Sequence, residues 1–172
     1  MSSNFELCLA EVLKHEGGYV DNPADPGGAT NRGVTKKVWE EYVGHEVSKD
    51  DIKALTVADV TPLYRRRFWD VCKCDRLPAG LDYVVFDIAV NSGTGRAAKF
   101  LQSAVGVAAD GSIGNLTLAA IGNSTLSTGE LINIICDRRG KFYESLPTFA
   151  TFGKGWMRRC EEVRSKALNM VS

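Results

Sequence analysis

The sequence predicts a mainly α-helical protein with one short loop or hairpin region after its first helix. Three observations carry that expectation. Apolar residues recur at helical spacing in segment after segment, and no stretch of any length alternates apolar and polar residues as a half-buried strand does. The Asp, Asn, Pro and Gly residues crowd into positions 21–33, where they mark turns. At 172 residues, 44% hydrophobic and 24% charged, the chain has about one domain's length and a globular composition.

Asn4 to Glu16 reads as an amphipathic helix, with Phe5, Leu9, Val12 and Leu13 on one face. Gly17-Gly18 supplies a stop, because glycine readily takes the left-handed conformation that ends helices. Asp21 to Gly33 follows as loop or short hairpin, and Thr35 is placed to cap a helix through Trp39 and Tyr42. Thr56-Val57-Ala58-Asp59 resembles a capping box with Asp in the Glu position. It opens a helix to about Trp69 that Pro62 weakens or kinks. Leu81, Val84, Val85, Ile88 and Ala89 mark a helix apolar enough to be central core. Further helical stretches cover Arg96–Val105, Glu130–Ser145 and Trp156–Asn169, with a turn at Asp110–Gly114 and a short helical piece at Leu116–Ile121. Trp39, Phe68 and Trp69 are expected in the core rather than in a cleft.

The 21 Lys and Arg cancel the 21 Asp and Glu, which argues against a protein held to nucleic acid or membrane by bulk charge. The balance is uneven along the chain. Residues 1–63 carry 6 basic and 11 acidic side chains, residues 64–126 carry 7 and 5, and residues 127–172 carry 8 and 5. The basic residues gather in Arg65–Arg67, Arg138-Arg139 and Arg158-Arg159, where a polymer bearing carboxylates could dock; ordinary solvated helix faces are the competing reading. No apolar run approaches the roughly 18 residues of a membrane span, and Met1 to Ala10 lacks the basic start and cleavage site of a signal peptide. Cys8, Cys72, Cys74, Cys136 and Cys160 are odd in number and irregularly spaced, as suits buried thiols in a reduced compartment. Cys72-Lys73-Cys74 lacks the second pair of a zinc knuckle.

Two motifs fail on their chemistry. His15-Glu16-Gly17-Gly18-Tyr19 nearly spells a zinc-protease signature, but Tyr19 stands where the second histidine must be, and two glycines end the helix first. Gly93-Thr94-Gly95-Arg96-Ala97-Ala98 fits a loose dinucleotide fingerprint without the preceding strand or following β-α-β alternation that would make it one. No metal or cofactor is expected.

Glu16 survives. It falls on the face of Phe5, Leu9 and Val12, at the C-terminal end of the helix dipole. Desolvation and the negative helix end both disfavour its charged form, as a general acid at neutral pH requires. The competing reading pairs it with Arg32 or leaves it exposed where the helix frays. Asp25 lies nine residues on, in a hydrated Pro/Gly-rich turn. Two carboxylates in opposed environments are the minimum for glycoside hydrolysis. Asp21 could fill the same role, although a turn-capping one fits its position better. Thr30, or Asn31, can hold a water beside Asp25, whose other reading is a residue stabilising its own turn.

The run Glu16-Gly17-Gly18-Tyr19, followed by Asp25-Pro26-Gly27-Gly28-Ala29-Thr30-Asn31-Arg32-Gly33-Val34-Thr35, resembles the signature of glycoside hydrolase family 108. Leu63-Tyr64-Arg65, Phe68-Trp69-Asp70 and Phe86-Asp87-Ile88-Ala89-Val90-Asn91-Ser92-Gly93 resemble its later motifs. Leu101-Gln102, Gly106, Asp110-Gly111, Gly114 and Thr117-Leu118 are similar to the peptidoglycan-binding segment that accompanies it. The spacing also resembles the Glu, Asp, Thr triad of phage-type lysozymes. There five residues usually separate Asp from Thr; here four do, with Asn31 at the strict position.

The resemblance implies a lysozyme-like helical fold, with a catalytic part over 1–80 and a helical peptidoglycan-binding part over 81–172, packed together as one compact unit. It implies hydrolysis of the β-1,4 bond between N-acetylmuramic acid and N-acetylglucosamine. Glu16 would be the general acid, Asp25 would stabilise the transition state or position water, and Thr30 would help to hold that water. Tyr19 and Asn91 are expected sugar contacts; the other reading of Asn91 is a helix cap. The expected partner is bacterial peptidoglycan, with no nucleic acid and no stable membrane insertion. A monomeric phage endolysin is expected to gather in the host cytoplasm, leave through a holin-type pore and act on the wall. The rival readings are a lytic transglycosylase, a non-catalytic wall-binding protein and a zinc amidase.

Overall fold

The computed structural model describes residues 4–172 and is mainly helical, with one two-stranded hairpin after the first helix. It divides into two compact units, one spanning Phe5–Arg67 and the other Phe68–Ser172 with Asn4.

The first unit opens with helix α1, Phe5–His15, which buries Phe5, Cys8, Leu9 and Val12 on its apolar face. Strands β1, Thr30–Asn31, and β2, Val34–Thr35, pair antiparallel with Thr30 opposite Thr35 and Asn31 opposite Val34. Their two-residue turn is Arg32-Gly33, with φ of 51° and 76°. Positive φ at both central positions gives the turn the twist that suits a tight hairpin. Thr35 then caps helix α2, Lys36–Val43, its hydroxyl accepting from the Val38 N–H as its position predicts. Helix α3, Lys49–Lys53, is opened by a Ser48/Asp51 capping box. Helix α4, Val57–Tyr64, has the Thr56/Asp59 box read from sequence and contains Pro62. The expected single helix to Trp69 changes pitch on the way, because Arg65–Trp69 forms a π-helical turn.

One local expectation fails. Gly17 and Gly18 are not among the positive-φ residues, so they do not cap α1 in the left-handed conformation. The chain instead leaves the helix toward Val20, which exchanges two backbone hydrogen bonds of 2.8 Å with Thr30.

In the second unit helix α5, Leu81–Ser92, is buried from Leu81 through Ala89 and is the central core element expected. It packs against helices α6, Thr94–Val105, α8, Thr128–Glu144, and α9, Phe149–Met170. Gly80, with φ of 89°, starts α5 where an added Cβ would come within 2.5 Å of the Ala167 carbonyl oxygen. Helix α7, Asn115–Gly122, covers the short helical piece read from the sequence. The last helix begins seven residues before the expected Trp156. Pro147, Gly153 and Gly155 disguise that start. At Gly153 an added Cβ would come within 2.5 Å of the Phe149 ring, so a larger residue would have to displace that ring.

Trp69 is buried, edge-to-face with Phe86, and donates its indole N–H to Asp75 at 2.8 Å. Trp39 is only half-buried, tilted against Tyr42. All five cysteines are buried free thiols.

Two polar clusters lock the second unit. Buried Asp87 receives Arg159 through Nε at 3.2 Å and Nη2 at 2.9 Å, while Arg139 Nη1 lies 2.7 Å from its other oxygen as a charge contact rather than an aligned hydrogen bond. Burial pushes the Asp87 carboxyl up, but the two guanidinium groups outweigh it and hold the group below the usual carboxylate range. In the second cluster Gln102 donates to Asp110 at 2.8 Å, the Ser112 carbonyl at 2.9 Å and Thr117 at 3.2 Å. Its own amide oxygen accepts from the Gly111 N–H at 3.0 Å. The Asp110-Gly111 turn is thereby clasped to α6 and α7.

Candidate active site

Glu16 is the first residue beyond α1. Helical spacing places it on the buried face; in the structure it is half-buried, because the helix has already ended. The hairpin turn backs onto its carboxylate. A Cβ at Gly33 would lie 2.9 Å from Glu16 Oε2 and would collide with the Tyr64 hydroxyl oxygen. Buried Tyr64 donates that hydroxyl to the Arg32 carbonyl at 2.7 Å. The ends of α1 and α4 and the hairpin turn therefore meet at Glu16, and only glycine fits between them. Arg32, the partner considered for Glu16, donates its Nε to the Leu55 carbonyl at 2.9 Å.

Asp25 is exposed, and its Oδ1 accepts from the Gly27 N–H at 2.8 Å. It thus does make the turn-stabilising bond that Asp-Pro-Gly sequences favour, a bond that also fixes the direction of the carboxylate. Asp21 is held elsewhere, in an ion pair of 3.0 Å with Lys49. Thr30 is half-buried in β1, beside the bridge from Val20. Asn31 is buried, and its amide nitrogen donates to the carbonyls of Ile52 at 3.0 Å, Lys53 at 3.1 Å and Leu55 at 3.4 Å. Consecutive strand residues face opposite sides. Asn31 clasps β1 to the end of α3, so Thr30 faces the other way. Tyr19 is half-buried with the Lys53 ammonium 5.7 Å from its ring centroid.

Gly33 and Tyr64 are the supporting residues that sequence reasoning missed. A two-residue turn ending in Gly, flanked by Thr30-Asn31 and Val34-Thr35, was the available signal for the first.

Asn91 belongs to the second unit, exposed in the last turn of α5. It is not the helix cap, a position taken by Gly93, whose N–H donates to Ala89. Its Oδ1 accepts from the Tyr143 hydroxyl at 2.8 Å and from Arg139 Nη2 at 3.3 Å. A guanidinium only donates, so the amide oxygen must be the atom facing it. The Asn91 NH2 is thereby turned away from the cluster.

The docking role considered for the paired arginines needs correction. Arg139 is 1% exposed and Arg159 is mostly buried, both held on Asp87. Arg138 and Arg158 remain exposed. Among the described residues, no three His, Cys, Asp or Glu side chains converge in a way that could hold a metal ion, and no helix is long and apolar enough to cross a membrane.

Comparison with known proteins gives two family matches that divide the chain. Residues 9–93 match the model described as Glycosyl hydrolase 108, and residues 96–161 match the model described as Predicted Peptidoglycan domain. The first stretch contains Glu16, Tyr19, Asp25, Thr30 and Asn91. The solved structure of SagA from Brucella abortus is similar, with 46% identity over 97% of this chain and 95% of that one, at a TM-score of 0.85. No curated protein matches the chain.

Proposed function

The chain belongs to the glycosyl hydrolase 108 family, and from that premise we propose that it is a muramidase. It would cleave the β-1,4 bond between N-acetylmuramic acid and N-acetylglucosamine. A glycoside hydrolase match joined to a peptidoglycan domain supports the coarser statement, a peptidoglycan hydrolase. The observation that carries the finer one is the half-buried Glu16, set at a helix end against Gly33.

In this reading Glu16 protonates the glycosidic oxygen as it leaves. Asp25, its direction fixed by the Gly27 N–H, stabilises the oxocarbenium-like charge or positions the attacking water. Thr30, on the strand face opposite the Asn31 clasp, helps to hold that water. Tyr19 offers a ring for stacking against a sugar, and Asn91 offers its outward NH2 to a sugar oxygen. An added Cβ at Gly17 or Gly18 would meet nothing within 4 Å, so neither glycine beside Glu16 is covered by another part of the chain.

The biological setting consistent with this chemistry is a phage endolysin that lyses its host. It would be held in the cytoplasm as a monomer and released through a holin-type pore. Secretion of the chain expressed alone, without lysis, would contradict that setting.

Mass spectrometry of digested peptidoglycan tests the reaction. Reducing muramic acid ends are expected. Anhydro ends would replace the muramidase by a lytic transglycosylase, freed stem peptides would indicate an amidase, and binding without cleavage would leave only a wall-binding protein.

A further inference from the structure

We propose that the second unit carries a separate receptor for the anionic stem peptides of peptidoglycan, in the groove between α6 and α8, with Arg96 and Lys99 as its carboxylate-binding residues. The groove encloses about 480 Å³, within the usual range for small-ligand sites. Its apolar wall is Phe100 and Phe142, edge-to-face at 6.0 Å, and Ser103 adds a hydroxyl to the lining. The Arg96 guanidinium carbon lies 4.1 Å from the Phe142 ring centroid, a cation–π contact that holds the side chain at the groove.

Charge sets the occupant. Two cations line the groove and no carboxylate does. Arg96 and Lys99 are three residues apart on α6, so they share one helix face. Among the described residues neither forms an ion pair or a side-chain hydrogen bond. Three other arginines of this unit contrast with them: Arg139 and Arg159 are held on Asp87, and Arg164 on Asp137 and Glu161. Two uncommitted cations beside aromatic rings suit a short peptide with free carboxylates and small apolar side chains. A neutral glycan would leave the cations without a partner. The stem peptides of peptidoglycan have the required chemistry, and all the residues named lie within the stretch that matches the peptidoglycan domain.

This inference rests on the peptidoglycan reading above, and its test separates the two. The full chain and the double variant Arg96→Ala/Lys99→Ala are compared on intact peptidoglycan and on glycan strands stripped of their stem peptides, with the lactyl carboxylates that stripping frees capped as amides. Both positions are exposed, so an unchanged melting transition is expected. On intact peptidoglycan the variant should bind about tenfold more weakly, with KM raised and kcat unchanged. On stripped strands the two proteins should behave alike, and Arg96→Lys/Lys99→Arg should recover most of the binding. Equal binding of intact peptidoglycan by the variant and the full chain would overturn the proposal. So would an equal loss on stripped strands. Absence of reducing muramic acid ends would instead remove the muramidase reading and leave a peptide-dependent binding difference intact.

Discussion

In residues 5–67 the two proposed catalytic carboxylates stay within reach of solvent. Glu16 is half-buried against Gly33, and exposed Asp25 is tethered by one N–H. In residues 68–172 the polar motif residues are instead turned on one another. Asp87 is fully buried between two arginines, and Gln102 closes on Asp110, Ser112, Gly111 and Thr117. Asp87 lies in the stretch matched to the glycosyl hydrolase and Gln102 in the stretch matched to the peptidoglycan domain, and each closes a cluster inside the second unit.

The strongest way to break this contrast is to remove the centre of the second unit. Asp87→Ala leaves Arg139 buried without its counter-charge, and loss of one member of a buried pair costs about 3–5 kcal/mol. Denaturant titration should show that loss, while the folded fraction keeps its turnover. The same group predicts acid sensitivity. Its folded carboxyl is held below the usual range, so its stabilisation is full above the unfolded value of about 3.9 and is lost as pH falls through the folded one. Asp87→Ala should therefore flatten the stability curve below about pH 4.

Gly33→Ala sharpens the contrast from the other side. A Cβ there would collide with the Tyr64 hydroxyl and crowd Glu16, at a φ of 76° that alanine tolerates poorly. A strain of about 1–3 kcal/mol is expected, together with a loss of turnover that outlasts correction for the unfolded fraction. Asn31→Ala is expected to have the smallest effect. It removes the donor for three carbonyls at the end of α3 and should destabilise by about 1–3 kcal/mol, read by thermal melting. Its kcat at low temperature should change little, because the side chain faces away from Thr30.

Several helices were legible from local signals. Thr35 and the Thr56/Asp59 box were read directly, and the apolar run 81–89 proved to be central core. The box Ser48/Asp51 was equally local and was overlooked, as was Ser127/Glu130, which opens α8. The π-helical turn at Arg65–Trp69 and the early start of α9 were hidden. One departs from the regular helical period, and the other carries Gly153 and Gly155 in its first two turns, Gly153 lying under the Phe149 ring of the same helix. For the candidate site, the sequence could single out Glu16 and Asp25 as carboxylates in different settings. It could not show that Gly33 and Tyr64 back onto Glu16, which depends on a contact between segments distant in sequence. Nor could it show that Arg139 and Arg159 are buried on Asp87, because their sequence neighbours Arg138 and Arg158 are exposed.

The central claim is that Glu16 is held for chemistry rather than for stability. Measuring turnover on purified peptidoglycan and thermal unfolding for Glu16→Gln in one preparation tests it most directly. The account predicts a fall in kcat of about 10²–10⁴-fold with an unchanged melting transition. Turnover equal to that of the unmodified chain, with the same melting transition, would contradict it.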